Sequence, residues 1–214
     1  MREPGGMMNR RQFFDEVAVE WDASEVEETL TRLREIVAGL GIEPGSTVLD
    51  VGTGTGVLVP LLLEATGGEG QIVALDFSGE MLRRAEAKGH PVAYIQGDAQ
   101  RLPFLAETFD WVICNAVFPH FPDKRRTLDE ASRVLREGGR LVICHTASRQ
   151  TINEFHRSVG GIVAHDTIPD EKTMRQWLRE AGLGEVRVWD EPDCYLALGQ
   201  RDGRNEATSS RISP

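Results

Sequence analysis

The sequence predicts an α/β fold, a doubly wound and mostly parallel sheet with helices on both faces. Three observations carry that expectation. Strand and helix signals alternate five times over about 100 residues, from 47 to 146, which is the rhythm of consecutive βαβ units. The strand segments are short, continuous apolar runs, as strands buried on both faces require. The chain then closes with two β-rich segments, 185–190 and 194–200, joined by the tight turn Glu191-Pro192-Asp193. An antiparallel hairpin after a parallel array narrows the choice of fold considerably.

Val26, Leu30, Leu33, Val37 and Leu40 recur at helical spacing, with Ser24 placed to cap that helix and Gly41 to stop it. TVLDV (47–51) reads as the first strand because its β-branched apolar run ends in a turn signal. A helix over 55–66 ends before Gly67-Gly68, and QIVALD (71–76) forms the second strand. Residues 79–88 are helical up to Gly89, PVAYIQ (91–96) is the third strand and FDWVICN (109–115) the fourth. A helix over 123–136 turns Leu128, Ala131, Val134 and Leu135 inward, and Gly138-Gly139 closes its C-terminus. RLVICHT (140–146) is the fifth strand. The rhythm changes there: 147–168 hold a helix and a glycine loop, and 170–181 a helix ending at Gly182. Residues 1–11 and 201–214 lack periodicity and are expected to be flexible, which leaves a single domain over 12–200.

At 214 residues the chain has room for one such domain with at most a small cap. Hydrophobic residues make up 40% and charged residues 27%, within the range of water-soluble globular domains. The net charge of −10 argues against broad binding to a nucleic-acid backbone. Cys114, Cys144 and Cys194 are odd in number and scattered, which excludes a complete set of intrachain disulfides and any CxxC zinc site. A reducing cytoplasm is the expected compartment. No apolar run approaches the length of a spanning helix, and no apolar signal core follows the N-terminus.

Between the first strand and its helix the chain reads Asp50-Val51-Gly52-Thr53-Gly54-Thr55-Gly56. Glycines in this place let a ligand approach the backbone closely, with a helix N-terminus beyond. The dinucleotide pattern GxGxxG would need glycine at 57, where the chain has Val57, and the third glycine is at 56. Asp50 sits two residues before the first glycine, at the expected mouth of the loop. A carboxylate there repels a pyrophosphate and attracts a cation such as an amino-acid ammonium, by on the order of a few kcal/mol when the pair is partly desolvated. Asp76 ends the second strand, where an acid accepts from ribose hydroxyls. Asp98 and Ala99 follow the third strand, where an acid can accept from an adenine amino group, and Phe77 and Met81 are placed to pack on the adenine faces. Acids thus follow the first three strands, at the sheet edge where ligands bind in open α/β folds. Three solvated strand-end acids beside a tight turn are the plainer alternative.

Five stretches, VLDVGTGTGVL (48–58), ALDFSGEMLRRA (74–85), GDAQRLPF (97–104), FDWVICNAVFPHFPD (109–123) and ASRVLREGGRLVIC (131–144), together resemble class I S-adenosylmethionine-dependent methyltransferases. The likeness is closest to the branch of ubiquinone/menaquinone-biosynthesis C-methyltransferases and many small-molecule enzymes, whose N-terminal segment FFDEVAVEWD (13–22) also resembles. The resemblance implies a Rossmann-like sheet of seven strands with an antiparallel last strand. It implies that Asp50, Gly52, Thr53, Gly54 and Gly56 hold the methionine part of S-adenosylmethionine, that Asp76 takes the ribose, and that Asp98 and Ala99 read the adenine. Asn115 would lie near the transferred methyl, S-adenosylhomocysteine would be the product, and a segment at about 146–170 would cap the acceptor.

A sulfonium methyl is already electrophilic, so the protein mainly supplies proximity, in-line geometry and a dry pocket. A base is needed only where the acceptor keeps its proton at the working pH. His120, in AVFPHFPD, is a candidate base or substrate contact, with a packing role as the alternative. His145 ends the fifth strand and is the second catalytic candidate. His145, His156 and His165, with Asp166, are expected to converge over the methyl. They would form a polar acceptor pocket or the ligands of a divalent metal such as zinc, iron or nickel. Their spacings of 11 and 9 match no compact metal motif, and separate structural roles remain open.

The expected activity is methyl transfer from S-adenosylmethionine to a small-molecule acceptor. The segment after the fifth strand lacks the C-terminal signature of the quinone enzymes and is more polar than an isoprenoid tail favours, so a quinone is the less favoured acceptor. A cofactor-binding sensor or assembly subunit without turnover is the alternative from another class. Val57 and Asp50 count against a nicotinamide oxidoreductase. Cys114-Asn115-Ala116-Val117, in place of an Asn-Pro-Pro-Tyr-type motif, counts against nucleic-acid methylation. A monomer or a homodimer fits the pattern.

Overall fold

The computed structural model describes residues 9–21 and 27–203. Ser24 and Val26 lie outside the described residues, as do 1–8 and 204–214 of the two termini expected to be flexible. Arg10 and Arg11 fall in the first helix, so helix begins earlier than the sequence suggested.

Seven strands form one sheet: β1 (Thr47–Val51), β2 (Gln71–Asp76), β3 (Ala93–Gln96), β4 (Phe109–Asn115), β5 (Leu135–His145), β6 (Leu183–Glu191) and β7 (Cys194–Arg201). Their order is β3-β2-β1-β4-β5-β7-β6. β1 to β5 pair in parallel, and β7 runs antiparallel between β5 and β6. This is the Rossmann-like sheet with an antiparallel terminal strand that the sequence implied. The order reverses between β1 and β4, the kind of switch point at which such sheets open a crevice for ligands.

The helices are α1 (Arg10–Trp21), α2 (Glu27–Leu40), α3 (Val59–Ala65), α4 (Gly79–Ala87), α5 (Lys124–Val134), α6 (Arg149–Val159) and α7 (Glu171–Glu180). Successive strand residues point to opposite faces, and the core divides accordingly. Val48, Ile113 and Val142 pack with Leu33, Val37 and Leu40 of α2 and Leu61 and Leu62 of α3. Leu49, Val112 and Ile143 pack with Leu128 and Val134 of α5 and Met174 and Leu178 of α7. A smaller cluster joins Phe14 and Ala18 of α1 to Met81 of α4.

Several boundaries differ from the sequence reading, two of them for reasons that bear on the glycines. α3 begins at Val59 rather than at 55, because the preceding residues form the glycine turn and Pro60 suits the first helical turn. Gly138-Gly139 does not cap α5. That helix ends at Val134, and the glycines lie inside β5, where the register with β4 shifts between the Phe109↔Leu135 and Trp111↔Arg140 pairs. A Cβ on Gly139 would meet the Asp110 carbonyl oxygen at 3.1 Å, so the glycine serves close strand approach there.

Candidate active site

The loop after β1 is tied to β2 by two backbone bonds, Gly52 N–H and Thr53 N–H both donating to the Leu75 carbonyl at 2.7 and 3.0 Å. Gly52 has φ +72°, and a Cβ there would run into the Val117 side chain. Gly54 has φ +56° with nothing within 4 Å of a Cβ, because that side faces open space. Its N–H donates to Asp76 Oδ2 at 2.9 Å, while Asp76 Oδ1 accepts from Ser78 N–H at 2.8 Å. Asp76 therefore shapes the loop as well as facing the space beside it. A carboxylate offers about four lone-pair sites, so acceptor capacity remains for a ligand.

A cavity of about 540 Å³ opens beside this loop. Of the residues singled out in the sequence, Gly52, Thr53 and Gly54 line it from the loop, and Asp76, Phe77 and Met81 from the end of β2 and the start of α4. Asp98 and Ala99 after β3, Asn115 at the end of β4 and His120 complete that set. Gln96, Gly97 and Gln100 also face it, as do Ala116 and Val117, none of which the sequence reading assigned. Ala116 carries φ +53°, a left-handed conformation uncommon for a residue with a side chain, and it turns the chain off β4 into the cavity wall.

Two expected loop contacts sit elsewhere. Gly56 does not line the cavity, and a Cβ there would approach Ala85 of α4 at 3.2 Å. Asp50 is not at the mouth of the loop but buried beneath it, 1% exposed. Its Oδ2 has no hydrogen-bond partner among the described residues, nor do the buried hydroxyls of Thr53 and Thr55. Burial raises the Asp50 carboxyl to about 7; the nearby Thr53 hydroxyl, outside hydrogen-bond geometry, opposes that rise and the Asp76 charge adds to it. Burial likewise raises Asp76, against the pull of the backbone N–H groups of Ser78 and Gly54.

The expected convergence of His145, His156 and His165 does not occur. His165 is exposed. His156 Nδ1 donates to the Asp166 carbonyl at 2.8 Å. His145 is buried beside Tyr195, does not line the cavity, and is held neutral by burial, which lowers it to about 3. Among the described residues, no group of three or more His, Cys, Asp or Glu side chains is placed to hold a metal ion. The metal-ligand assignment of His145, His156 and His165 is therefore withdrawn, together with a catalytic role for His145 at this cavity.

The roof also differs from the expectation. The segment at 146–170 supplies no lining residue; α1 does, through Arg10, Arg11 and Phe14. α1 rests on α4 through Phe14, Ala18 and Met81, and the Asp15 carboxylate accepts from the Ser78 hydroxyl at 2.5 Å. Arg10 reaches the Asp166 carboxylate at 2.5 Å, and the same carboxylate meets His120 Nδ1 at 2.7 Å. No spacing signal marks Arg10, because it pairs across 156 positions.

A methyltransferase-domain family profile matches residues 49–143. A demethylmenaquinone methyltransferase of a Mycobacterium species is 38% identical over 191 residues, covering 87% of this chain and 74% of that protein. One from Staphylococcus epidermidis is 36% identical over 181 residues, covering 72% of this chain and 75% of that protein. The match to the enzyme of that name from Lysinibacillus sphaericus, 38% identical, takes in 55% of this chain and 51% of that protein. The chain belongs to the S-adenosylmethionine-dependent methyltransferase family. Solved structures show the same fold. A methyltransferase from Aquifex aeolicus superposes with TM-score 0.69 at 23% identity, over 87% of this chain and 97% of that one. One from Thermotoga maritima gives 0.73 at 20%, over 88% and 98%.

The side chains of this methyltransferase suit the cofactor that its family uses. Among the described residues, polar atoms without a partner on Asp50, Thr53 and Thr55 cluster at the loop, Asp76 keeps acceptor capacity, and Phe77, Met81 and Ala99 supply apolar wall. No helix among the described residues is long and apolar enough to cross a membrane.

Proposed function

We propose that this methyltransferase binds S-adenosylmethionine in the cavity beneath α1 and moves its methyl group to a small-molecule acceptor. The observation that carries the reading is the glycine loop locked to Asp76 at the wall of a 540 Å³ cavity. When bound, the cofactor supplies an electrophilic methyl on sulfur. The backbone of Gly52, Thr53 and Gly54 would support its methionine part, with the Asp50 charge acting on the ammonium from beneath the loop. Asp76 would accept from the ribose hydroxyls. Asp98, Ala99, Phe77 and Met81 would enclose the adenine, and Asn115 would lie near the transferred methyl. α1 would exclude water. The relatives named demethylmenaquinone methyltransferases favour a hydroquinone-type acceptor as the narrower reading. Three free cysteines and the charge of −10 support a cytoplasmic enzyme, monomeric or homodimeric, that does not act on nucleic acid.

Calorimetric titration with S-adenosylmethionine and S-adenosylhomocysteine tests this, with micromolar binding expected. Asp76→Ala should weaken that binding more than tenfold, since a charged acceptor is worth about 1.5–3 kcal/mol. Unchanged affinity in the variant would remove Asp76 from the site. Binding without methyl transfer to any acceptor would leave a sensor.

A further inference from the structure

We propose that Asp166 and His120 form a proton-accepting pair at the cavity. Asp166 positions the imidazole, and His120 Nε2 takes the proton of a hydroxyl-bearing acceptor, a phenol, hydroquinone or enol. The inference rests on the methyltransferase reading above and deepens it.

The geometry comes first. Asp166 Oδ2 lies 2.7 Å from His120 Nδ1, and Arg10 grips both carboxylate oxygens at 2.5 Å. An ionised carboxylate only accepts hydrogen bonds, so Nδ1 carries the hydrogen and Nε2 of the neutral ring holds a lone pair. No hydrogen bond among the described residues uses Nε2, and His120 lines the cavity. The ring is pinned edge-on by Phe14 at 5.0 Å and by His156 at 4.8 Å between centroids. His156 is itself oriented by its bond to the Asp166 carbonyl.

Charge supports the same arrangement. Burial works to raise Asp166, but the hydrogen bonds from His120 and Arg10 outweigh it and hold the carboxyl at about 2. Among the described residues, the titratable and charged groups facing the ring are Asp166, His156 on α6 and His145 on β5, with Arg10 on α1 and Lys124 on α5 acting on Asp166. In the proposed step the acceptor O–H bond breaks, its electron pair stays on oxygen, and the hydrogen passes to Nε2. The imidazolium formed faces the Asp166 carboxylate. Arg10 shares that carboxylate, which lowers its help to the imidazolium but fixes its direction. Asp166 is a positioning residue; His120 is the group that meets the acceptor.

The test uses the full chain with nitrogen-15-labelled histidine, complexed with S-adenosylhomocysteine, and 1,4-naphthohydroquinone and catechol as acceptor probes. Nitrogen-15 spectra should show His120 of the wild type as the Nδ1–H tautomer. Asp166→Asn should lose that dominance, while Arg10→Gln should keep it. With S-adenosylmethionine as methyl donor and the probes as acceptors, Asp166→Asn should lower kcat by about 100-fold and leave the KM of the probes within about twofold. Nε2–H in the wild type overturns the pair, even if no variant folds. An unchanged kcat in Asp166→Asn overturns the proton-transfer role and leaves a staple. A protein that binds S-adenosylhomocysteine but methylates neither probe overturns the hydroxyl acceptor. Failure to bind S-adenosylhomocysteine, with the tautomer as expected, refutes the methyltransferase reading instead.

Discussion

The glycine loop and the roof formed by α1, which Asp166 ties down, line one cavity, yet they are held in different ways. The loop is fixed by backbone geometry and by one acid, with Gly54 and Asp76 separated by 22 positions. The roof is fixed by side chains that meet across 156 and 46 positions, Arg10 and His120 on the same carboxylate. Backbone-fixed structure is rigid and tolerates little change, whereas a roof held by side-chain contacts opens at lower cost. A ligand enclosed between them needs both properties.

The largest effect should come from the floor. Gly52→Ala places a Cβ on the Val117 side chain at a left-handed residue. Strain and overpacking together should cost about 2–5 kcal/mol, a fall in Tm of roughly 5–15 °C. Val117→Gly in the same chain should restore the part due to crowding, because even the Val117 Cβ would lie 2.7 Å from the new Cβ, and leave the part due to φ. A thermal melt and a calorimetric titration on the three variants separate the two. An unaltered Tm in Gly52→Ala would mean that the loop is not rigid.

Next in size is a difference in pH response between the two regions. Asp50 has its folded value raised from 3.8 to about 7, so the folded state binds the extra proton between those values. Stability from this group is present below about pH 4 and is lost as pH rises through 7. His145 has its folded value lowered from 6.5 to about 3, so its contribution is present above 6.5 and lost as pH falls toward 3. The ligand-free protein should therefore lose stability on both sides. Asp50→Asn should remove the alkaline loss, stabilising the protein at pH 8 by on the order of 3 kcal/mol and not at all at pH 4. S-adenosylhomocysteine, whose ammonium favours ionised Asp50, should shrink that gain. Denaturant midpoints at the two pH values decide it; an equal gain at both would show that the Asp50 charge is not the cause.

The same contrast explains what could be read from the sequence. β1, β2 and β4 carry contiguous apolar runs, and the structure places them at the predicted residues. The loop and its acids lie within 50 residues of one another, and their ligand-facing positions were legible from order and spacing. Asp50 was misplaced because a sequence shows that an acid stands beside a loop, not whether it points above or below. Gly138-Gly139 read as a helix stop because a glycine that serves close strand approach looks the same as one that caps. Arg10 lay in a stretch without periodicity, and its partner appears only when the chain has folded. Asp166 was grouped with the histidines, but its contact with His120 and not with His165 depends on a turn that leaves His165 exposed.

The smallest effect, and the sharpest probe of the roof, is Arg10→Gln. The pair is partly buried, with side chains 26% and 4% exposed, and its loss leaves Asp166 bonded to His120. A cost of about 1–2 kcal/mol is expected, set by one charge-assisted contact that is partly screened by solvent. That is too little to unfold the protein but enough to free α1. Amide hydrogen exchange should rise about tenfold in α1, equal to about 1.4 kcal/mol of opening, while β1, β2 and β4 keep their protection. Release of S-adenosylhomocysteine should quicken in the same proportion if α1 must lift for the ligand to leave. Faster exchange without faster release would make α1 a cover that the ligand bypasses. Unchanged exchange would mean that Phe14 and Ala18 on Met81, and Asp15 on Ser78, hold the helix without Arg10.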